Sequence, residues 1–363
     1  MTTSQTPSGF RGYLDTPSMG LPTSATIAAM TTALESWSEG RADYADWERS
    51  MERCRSMFAQ LFDVSHTTVG LLPSVVPAFA AAAASVAKSA GTVVAHRNEF
   101  RSVLLPVLAH VDEHRIRWVD GPYVADTFLQ AMDDKTAAVL VSAVSSHDGG
   151  RPSLATLTQA GASVGARILV DGTQAAGIVV PDVAVASLSL FACAGYKGLR
   201  APRGAAYAVA HDDVVSGFGA PSAYGVSDNE ERGSYGPPLR RKPGAQGLDQ
   251  SPAWIAWVGA EPALAELLLQ PATDRESRVV GLAQKVCDHL LAIGIPAQQT
   301  DLPSPIVTFR ADAGDLLDQL TRRGVRAVSR LGRIRLGFHI YNDENDVDMV
   351  QDVLTQWSTR PHS

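Results

Sequence analysis

The sequence predicts an α/β protein: a large unit built on a mainly parallel sheet flanked by helices, followed by a smaller α+β unit at the C-terminal end. Three observations predict it. Short apolar β-type runs alternate with longer helical stretches through the middle of the chain, the signature of parallel strands joined by crossover helices. A stretch rich in Gly, Pro and Ser with little periodicity, Val214–Pro252, ends that alternation. Beyond it the order changes to helices followed by closely spaced strands. In chain order, strands are expected at Thr92–His96, Ile116–Val119, Ala137–Val144, Ala166–Asp171, Leu188–Cys193 and Gly204–Val209. Helices are expected between them at Pro77–Ala90, Val124–Met132 and Leu154–Val164, the first so rich in alanine that it can pack closely against a sheet. After the turn-rich stretch come two helical segments, then strands around Ile306–Arg310, Val325–Val328 and Arg333–Phe338. A last helix places Val347, Val350, Val353, Leu354 and Trp357 on one face. The expected divisions are an N-terminal segment (1–20) packing with the small domain, a large domain (21–255) and a small C-terminal domain (256–363).

Composition narrows the function classes. With 363 residues, 45% hydrophobic and 19% charged, the chain can bury a substantial core. A net charge of -7 opposes a nucleic-acid surface, and the longest basic cluster, Arg240-Arg241-Lys242, is too short to change that. No run of 18 apolar residues offers a membrane span. The first 25 residues lack the basic and apolar regions of a signal peptide, so a cytoplasmic location is expected. Cys54, Cys193 and Cys287 are far apart and odd in number, giving neither a disulfide framework nor a metal-ligand spacing; they read as core or surface thiols.

Chemistry concentrates around Lys197. An apolar strand ends in the carboxylate of Asp171, Gln174 follows it, and Lys197 comes after a second apolar run, Ser187 to Ala194. These are the three side-chain types that hold pyridoxal phosphate. The lysine forms a Schiff base with the aldehyde, the aspartate keeps the pyridine nitrogen protonated so that the ring withdraws electrons, and the glutamine amide hydrogen-bonds the ring's 3-oxygen. The plain alternatives are a surface lysine and a turn carboxylate, and the apolar run before Lys197 argues against the first. A dinucleotide-binding reading fails because no GxGxxG follows the first strand.

With Asp171-Gly-Thr-Gln174 and Tyr196-Lys197-Gly at this spacing, the chain resembles the class V branch of fold-type I pyridoxal-phosphate enzymes. That branch holds aminotransferases, cysteine desulfurases, kynureninases, isopenicillin-N-epimerase-like proteins and C–S lyases. The resemblance runs from Tyr13-Leu-Asp-Thr-Pro17, similar to the family's opening strand, to Arg335-Leu-Gly-Phe-His-Ile-Tyr341-Asn342-Asp-Glu-Asn-Asp346, similar to its closing strand and helix start. It implies a seven-stranded sheet in the large domain, pyridoxal 5'-phosphate as cofactor, an amino-acid substrate, and a homodimer with the active site near the subunit interface.

The resemblance also implies roles. Pro73-Ser74-Val75-Val76-Pro77 matches a turn into a helix whose free N–H groups cradle the cofactor phosphate, or it is an ordinary helix start. Glu99-Phe100-Arg101-Ser102 matches the segment covering the ring, with Phe100 either stacked on the pyridine or part of the core. Lys197 is the catalytic amine that moves the Cα proton. Tyr196 hydrogen-bonds the phosphate or lines the pocket. Arg335 is the fork that clamps the substrate carboxylate, with Arg333 its rival. Departures occur at Ser145-Ser146-His147-Asp148-Gly149, where many members carry an asparagine: Ser146 is a contact near the 3-oxygen and His147 either a substrate contact or a loop histidine. Ser189 stands where an aspartate is common, and Gln250 or Ser251 is the nearest match to the donor that reaches the neighbouring subunit's phosphate.

A desulfurase needs a mobile cysteine before the closing arginine strand, and the segment from Val325 to Arg333 has none. The turn-rich stretch with Tyr224 and Tyr235 fits a roomy, polar entrance for a bulky substrate. The expected activity is therefore a β-elimination that cleaves the C–S bond of a substituted cysteine in specialised or thiol metabolism, by way of a Cα carbanion. Transamination is the second reading and decarboxylation-coupled oxidative deamination the third. A catalytically inactive homologue is the remote one, opposed by the presence of both Lys197 and Asp171.

Overall fold

A computed structural model describes residues 11–228, 233–311 and 313–359. Helices α1 (Ser24–Ser38) and α2 (Tyr44–Phe62) come first. Next are β1 (Val69–Leu72), α3 (Val76–Ala87), β2 (Thr92–His96), α4 (Arg101–Leu108), β3 (Ile116–Val119), α5 (Ala125–Leu129) and β4 (Thr136–Ser142). They continue with α6 (Leu154–Val164), β5 (Arg167–Asp171), β6 (Leu190–Ala194), β7 (Ala206–Ala210) and α7 (Asp212–Val215). Then follow α8 (Trp254–Leu268), α9 (Ala272–Ala292), β8 (Ile306–Arg310), α10 (Ala313–Arg322), β9 (Val328–Arg330), β10 (Arg333–Gly337) and α11 (Glu344–Ser358).

The expected α/β architecture is present. Seven strands form one sheet in the order β1-β7-β6-β5-β4-β2-β3, and β8-β10-β9 form a second, antiparallel sheet. Strands β2 to β6 pair in parallel, whereas β7 runs antiparallel to both β6 and β1. Alternation along the strands explains why both faces are apolar. On β4, Val139 and Val141 join one core, whereas Ala138 and Leu140 join the other. The alanine-rich α3 lies in the second core through Ala78, Phe79, Ala81, Ala82 and Ala83. The first core continues into Val307, Phe309, Ile334 and Leu336 of the small sheet and into Val350 and Leu354 of α11.

Departures from the sequence reading have local causes. β1 was not expected: Val-Gly-Leu-Leu is short, and its partner is the distant β7. Gly70 is required there, because a Cβ would lie 2.6 Å from the Ala245 carbonyl oxygen. The strand expected at Val325–Val328 sits further on, as β9. The Val325 N–H goes to Leu320, and Arg326 exchanges main-chain bonds with Gly12 and Leu14. The segment matched to an opening strand forms isolated bridges instead, Tyr13 with Arg326 and Asp15 with Gly337, so residues from 11 onward lie along the small sheet. Residues 1–10 of the expected N-terminal segment fall outside the described residues.

The stretch Val214–Pro252 is not a simple loop. α7 holds its start, and short 3₁₀ turns stand at Ala223–Gly225 and Gly244–Leu248; residues 229–232 are outside the described set. The Tyr224 hydroxyl donates to Glu48 on α2, Tyr235 is 80% exposed, and neither is among the residues lining the cavity around Lys197. The end of the stretch is tied to the sheet by Asp249, which accepts from Arg55 Nη2 at 2.7 Å and from the Leu71 N–H at 2.8 Å. Arg55 and Asp249 are both 1% exposed. Removing the Asp249 charge leaves Arg55 with Glu52 alone, 2.9 Å away, so the cost falls below the ~3–5 kcal/mol of a fully broken buried pair. Asp249→Asn is expected to lower the free energy of unfolding by about 1–3 kcal/mol, seen as a lower urea midpoint at unchanged m. A midpoint equal to wild type would remove Asp249 as the anchor.

Candidate active site

Parallel strands deliver their C-terminal ends to one edge, where α/β proteins bind ligands. Here that edge brings together Ser142 of β4, Asp171 of β5 and, just past β6, Lys197. Asp171 and Lys197 line a cavity with Ser74, Val75, Val76, Phe100, Tyr196 and Arg203 among its other walls. Lys197 is 5% exposed and Asp171 6%.

Burial pushes the Lys197 amine down to about 8; Asp171 opposes this, and the charges of Arg335 and Arg203 add to it. Burial pushes the Asp171 carboxyl up, while the Thr173 N–H, 2.9 Å from Oδ1, the Thr173 hydroxyl and Lys197 hold it down. The result is an amine that gives up its proton more readily than a free lysine, beside a carboxylate that feels its charge. The chain path is tight: a Cβ on Gly20 would fall 2.1 Å from the Lys197 carbonyl oxygen. His339 Nε2 donates to the Gly198 carbonyl at 2.8 Å. Burial holds that ring neutral, its pKa pushed down to about 3.

Phe100 does not belong to the core. Its ring is 45% exposed and its centroid lies 5.3 Å from Lys197 Nζ, so it stands over the cavity. The Tyr196 ring is 5.7 Å from the same nitrogen. Ser74 and Val75 lead into α3, which has no side-chain cap and carries Pro77 in its first turn; its first N–H groups stand unpaired at the cavity wall.

The remaining expected residues are near but placed differently. Gln174 is buried, and its Nε2 donates to the Pro17 carbonyl at 3.0 Å, leaving one amide hydrogen uncommitted. Arg335 is 4% exposed; Nη1 donates to the Ser146 carbonyl at 2.9 Å and Nη2 to Ser18 Oγ at 2.9 Å, while Nε has no partner among the described residues. Arg333 points instead to Thr308. Ser146 therefore meets the site through its main chain. His147 is half-buried, with its pKa pushed down by burial against the pull of Asp148, and it does not line the cavity. Gln250 bonds main chain, its N–H going to Leu71 on β1 and its amide to the adjacent Asp249 carbonyl.

Three groups of residues were missed by sequence reasoning. Asp15, Pro17, Ser18 and Gly20 close over the site, with the Gly20 N–H donating to Tyr196 at 2.9 Å. Glu99 is fully enclosed, and its carboxylate accepts from the Phe100 N–H (2.6 Å), Ser142 Oγ (2.7 Å) and the Tyr123 hydroxyl (2.5 Å). Arg203 lines the cavity itself. An acidic residue directly before Phe100 was the one signal available for Glu99; nothing local marked the others.

A buried amine whose pKa is lowered to about 8, a carboxylate beside it, an aromatic cover and an uncapped helix start fit pyridoxal phosphate. Fold and site together define a fold-type I pyridoxal-phosphate enzyme. The model of the family described as Aminotransferase class-V matches residues 13–350, and the chain belongs to that family, whose cofactor is pyridoxal phosphate. No curated protein sequence matches the chain. Among solved structures, it is similar to the cysteine desulfurase of Thermococcus onnurineus NA1 (15% identity, 99% of each chain, TM-score 0.80). It is likewise similar to the cystine C–S lyase C-DES in complex with its product cysteine persulfide (17%, 97% of this chain and 98% of that, TM-score 0.81). A third is the cysteine desulfurase CsdA of Escherichia coli (19%, 98% of this chain and 96% of that, TM-score 0.79).

Only the neutral amine attacks an aldehyde, and Lys197 loses its proton as pH rises through about 8. Cofactor uptake by the apo-protein is expected to speed up about tenfold per pH unit below that value and to level off above it. A rate still climbing toward the pKa of a free lysine, about 10.4, would show an unperturbed amine.

Proposed function

We propose that the protein cleaves the C–S bond of a substituted cysteine by β-elimination, releasing a thiol, pyruvate and ammonium. One observation carries this reading: Lys197 and Arg335 are set for Cα chemistry on an amino acid, yet no thiol lines the cavity. Cys54 and Cys193 are buried in the core, and Cys287 on α9 lines a different cavity with Gln298, Thr300 and Asp301. None is placed to carry sulfur as a persulfide, which separates this site from a desulfurase. The C–S lyase and desulfurase names of the similar structures support C–S chemistry as the class.

When bound, pyridoxal phosphate supplies an aldehyde that condenses with amines and a ring that stabilises negative charge at Cα. Lys197 Nζ takes the Cα proton and redelivers a proton to the product fragment. Asp171 holds the proton on the pyridine nitrogen. Phe100 covers one ring face and keeps water off it. Ser74 and the N–H groups of Val75 and Val76 receive the phosphate beside Tyr196, and the uncommitted Gln174 amide hydrogen serves the 3-oxygen. Arg335 forks onto the substrate carboxylate, its plane steadied by the Ser146 carbonyl. The C–S bond breaks with its electron pair on sulfur, which leaves as thiol after protonation. Water then divides the three-carbon fragment into pyruvate and ammonium.

The reading includes a cytoplasmic homodimer. Trp37, Tyr44 and Ile27 stand 62%, 58% and 53% exposed on α1 and α2, an apolar face that a second copy would cover. Among the described residues no helix is long and apolar enough to cross a membrane.

Lys197→Ala is expected to abolish turnover. Incubating the cofactor-loaded wild type with cysteine S-conjugates should yield thiol, pyruvate and ammonium together. A keto acid without ammonium would make the protein an aminotransferase. Arg335→Gln is expected to raise KM roughly ten- to hundredfold, the loss of a charge-assisted pair, and an unchanged KM would move the clamp elsewhere.

A further inference from the structure

We propose that Arg203 is the cation that holds the cofactor's phosphate, so that this chain charges its phosphate subsite with a guanidinium from the loop after Lys197. The inference rests on the site assignment above and extends it to a residue given no role there. A phosphate brings nearly two negative charges into a cavity that already contains Asp171. Behind Asp171 lies Glu99, fully enclosed and close enough to feel its charge. Like charges at such range in a poorly hydrated site repel strongly, so a dianion needs a cation.

The cavity offers two. Lys197 is committed to the aldehyde. Arg203 remains, and among the described residues no carboxylate pairs with it. Its guanidinium lies 5.2 Å from the centroid of the Tyr196 ring, and a guanidinium stacked on a ring keeps its N–H edge free for two parallel bonds to phosphate oxygens. The other donors along the cavity, Ser74, Ser102, Tyr196 and the Val75 and Val76 N–H groups, are neutral, so they can bond a phosphate but not balance its charge. The Thr173 hydroxyl is occupied by the Ala194 N–H at 3.1 Å and by Asp171. The loop itself has a defined path. Gly204 has φ +114, and a Cβ there would lie 3.1 Å from Ala253 and Ala256, so the main chain next to Arg203 runs close against the start of α8.

The test compares cofactor with and without phosphate. Apo wild type, Arg203→Gln and Arg203→Lys are titrated with pyridoxal phosphate and with pyridoxal, following the visible band and protein fluorescence, and the melting temperature of each apo-protein confirms folding. The expected result is a Kd for pyridoxal phosphate roughly ten- to hundredfold weaker in Arg203→Gln, partly restored in Arg203→Lys, with pyridoxal affinity unchanged. Inorganic phosphate should compete with uptake in the wild type and lose that effect in Arg203→Gln. Equal affinities in wild type and Arg203→Gln, or equal weakening for both compounds, would overturn the proposal. So would an effect on substrate KM alone, which would assign Arg203 to substrate. A wild type that binds neither compound would instead overturn the cofactor assignment, and the two failures are therefore distinct.

Discussion

An amine buried beside a carboxylate is costly to build, and much of this structure exists to hold that pair. Lys197 and Asp171 each lose most of their hydration, which drives the amine toward its neutral form and the carboxylate toward its protonated one. Their mutual attraction offsets part of the cost. The parallel strands β4, β5 and β6 end at one level, so Ser142, Asp171 and the approach to Lys197 are set by sheet register rather than by flexible loops. Positions fixed in this way suit chemistry that depends on a proton moving between defined atoms.

The loop carrying Lys197 is strained and anchored. Arg200 has a left-handed φ of 58, an unfavourable conformation for a residue with a side chain, on the order of 1 kcal/mol. Its guanidinium binds Glu266 on α8 at 2.7 Å and the Leu21 carbonyl at 2.8 Å, contacts that over-determine the turn. His339, reaching back from beyond β10 to Gly198, pins the other side. The lysine is thereby held by an element from each sheet and by the N-terminal segment at once.

That segment is the hinge of the whole arrangement. Residues Gly12 to Leu14 lie against Arg326 and Gly337, Thr16 meets the Tyr341 hydroxyl, Pro17 receives Gln174, and Asp15 and Ser18 face Arg335. Gly337 makes room for it, since a Cβ there would fall 2.1 Å from Pro17. Through these contacts the two sheets share one site. Arg335 keeps Nε unpaired within it, an orphan donor whose burial is reasonable if an anion completes it.

Much of the large sheet was legible because its signal is local: apolar runs of strand length between helical stretches, with β2, β3 and β8 bounded as expected. Lys197 and Asp171 stood out because charged groups at the ends of apolar runs are expensive unless used, whereas Arg335 was marked only by the family resemblance. β1 was not, because a four-residue strand containing glycine is defined by its partner β7 and not by its own pattern. Tyr224 was misjudged for the same reason, its hydroxyl being taken by Glu48 from a helix far back in the chain. Glu99, Ser18 and Arg203 acquire meaning only from Ser142, Arg335 and Tyr196, which stand opposite them in space. The sequence by itself determined the fold class and the type of chemistry, since periodicity and side-chain identity are local properties. Tertiary structure alone decided which donors face which acceptors, because hydrogen bonds and burial depend on groups hundreds of residues apart meeting within 3 Å.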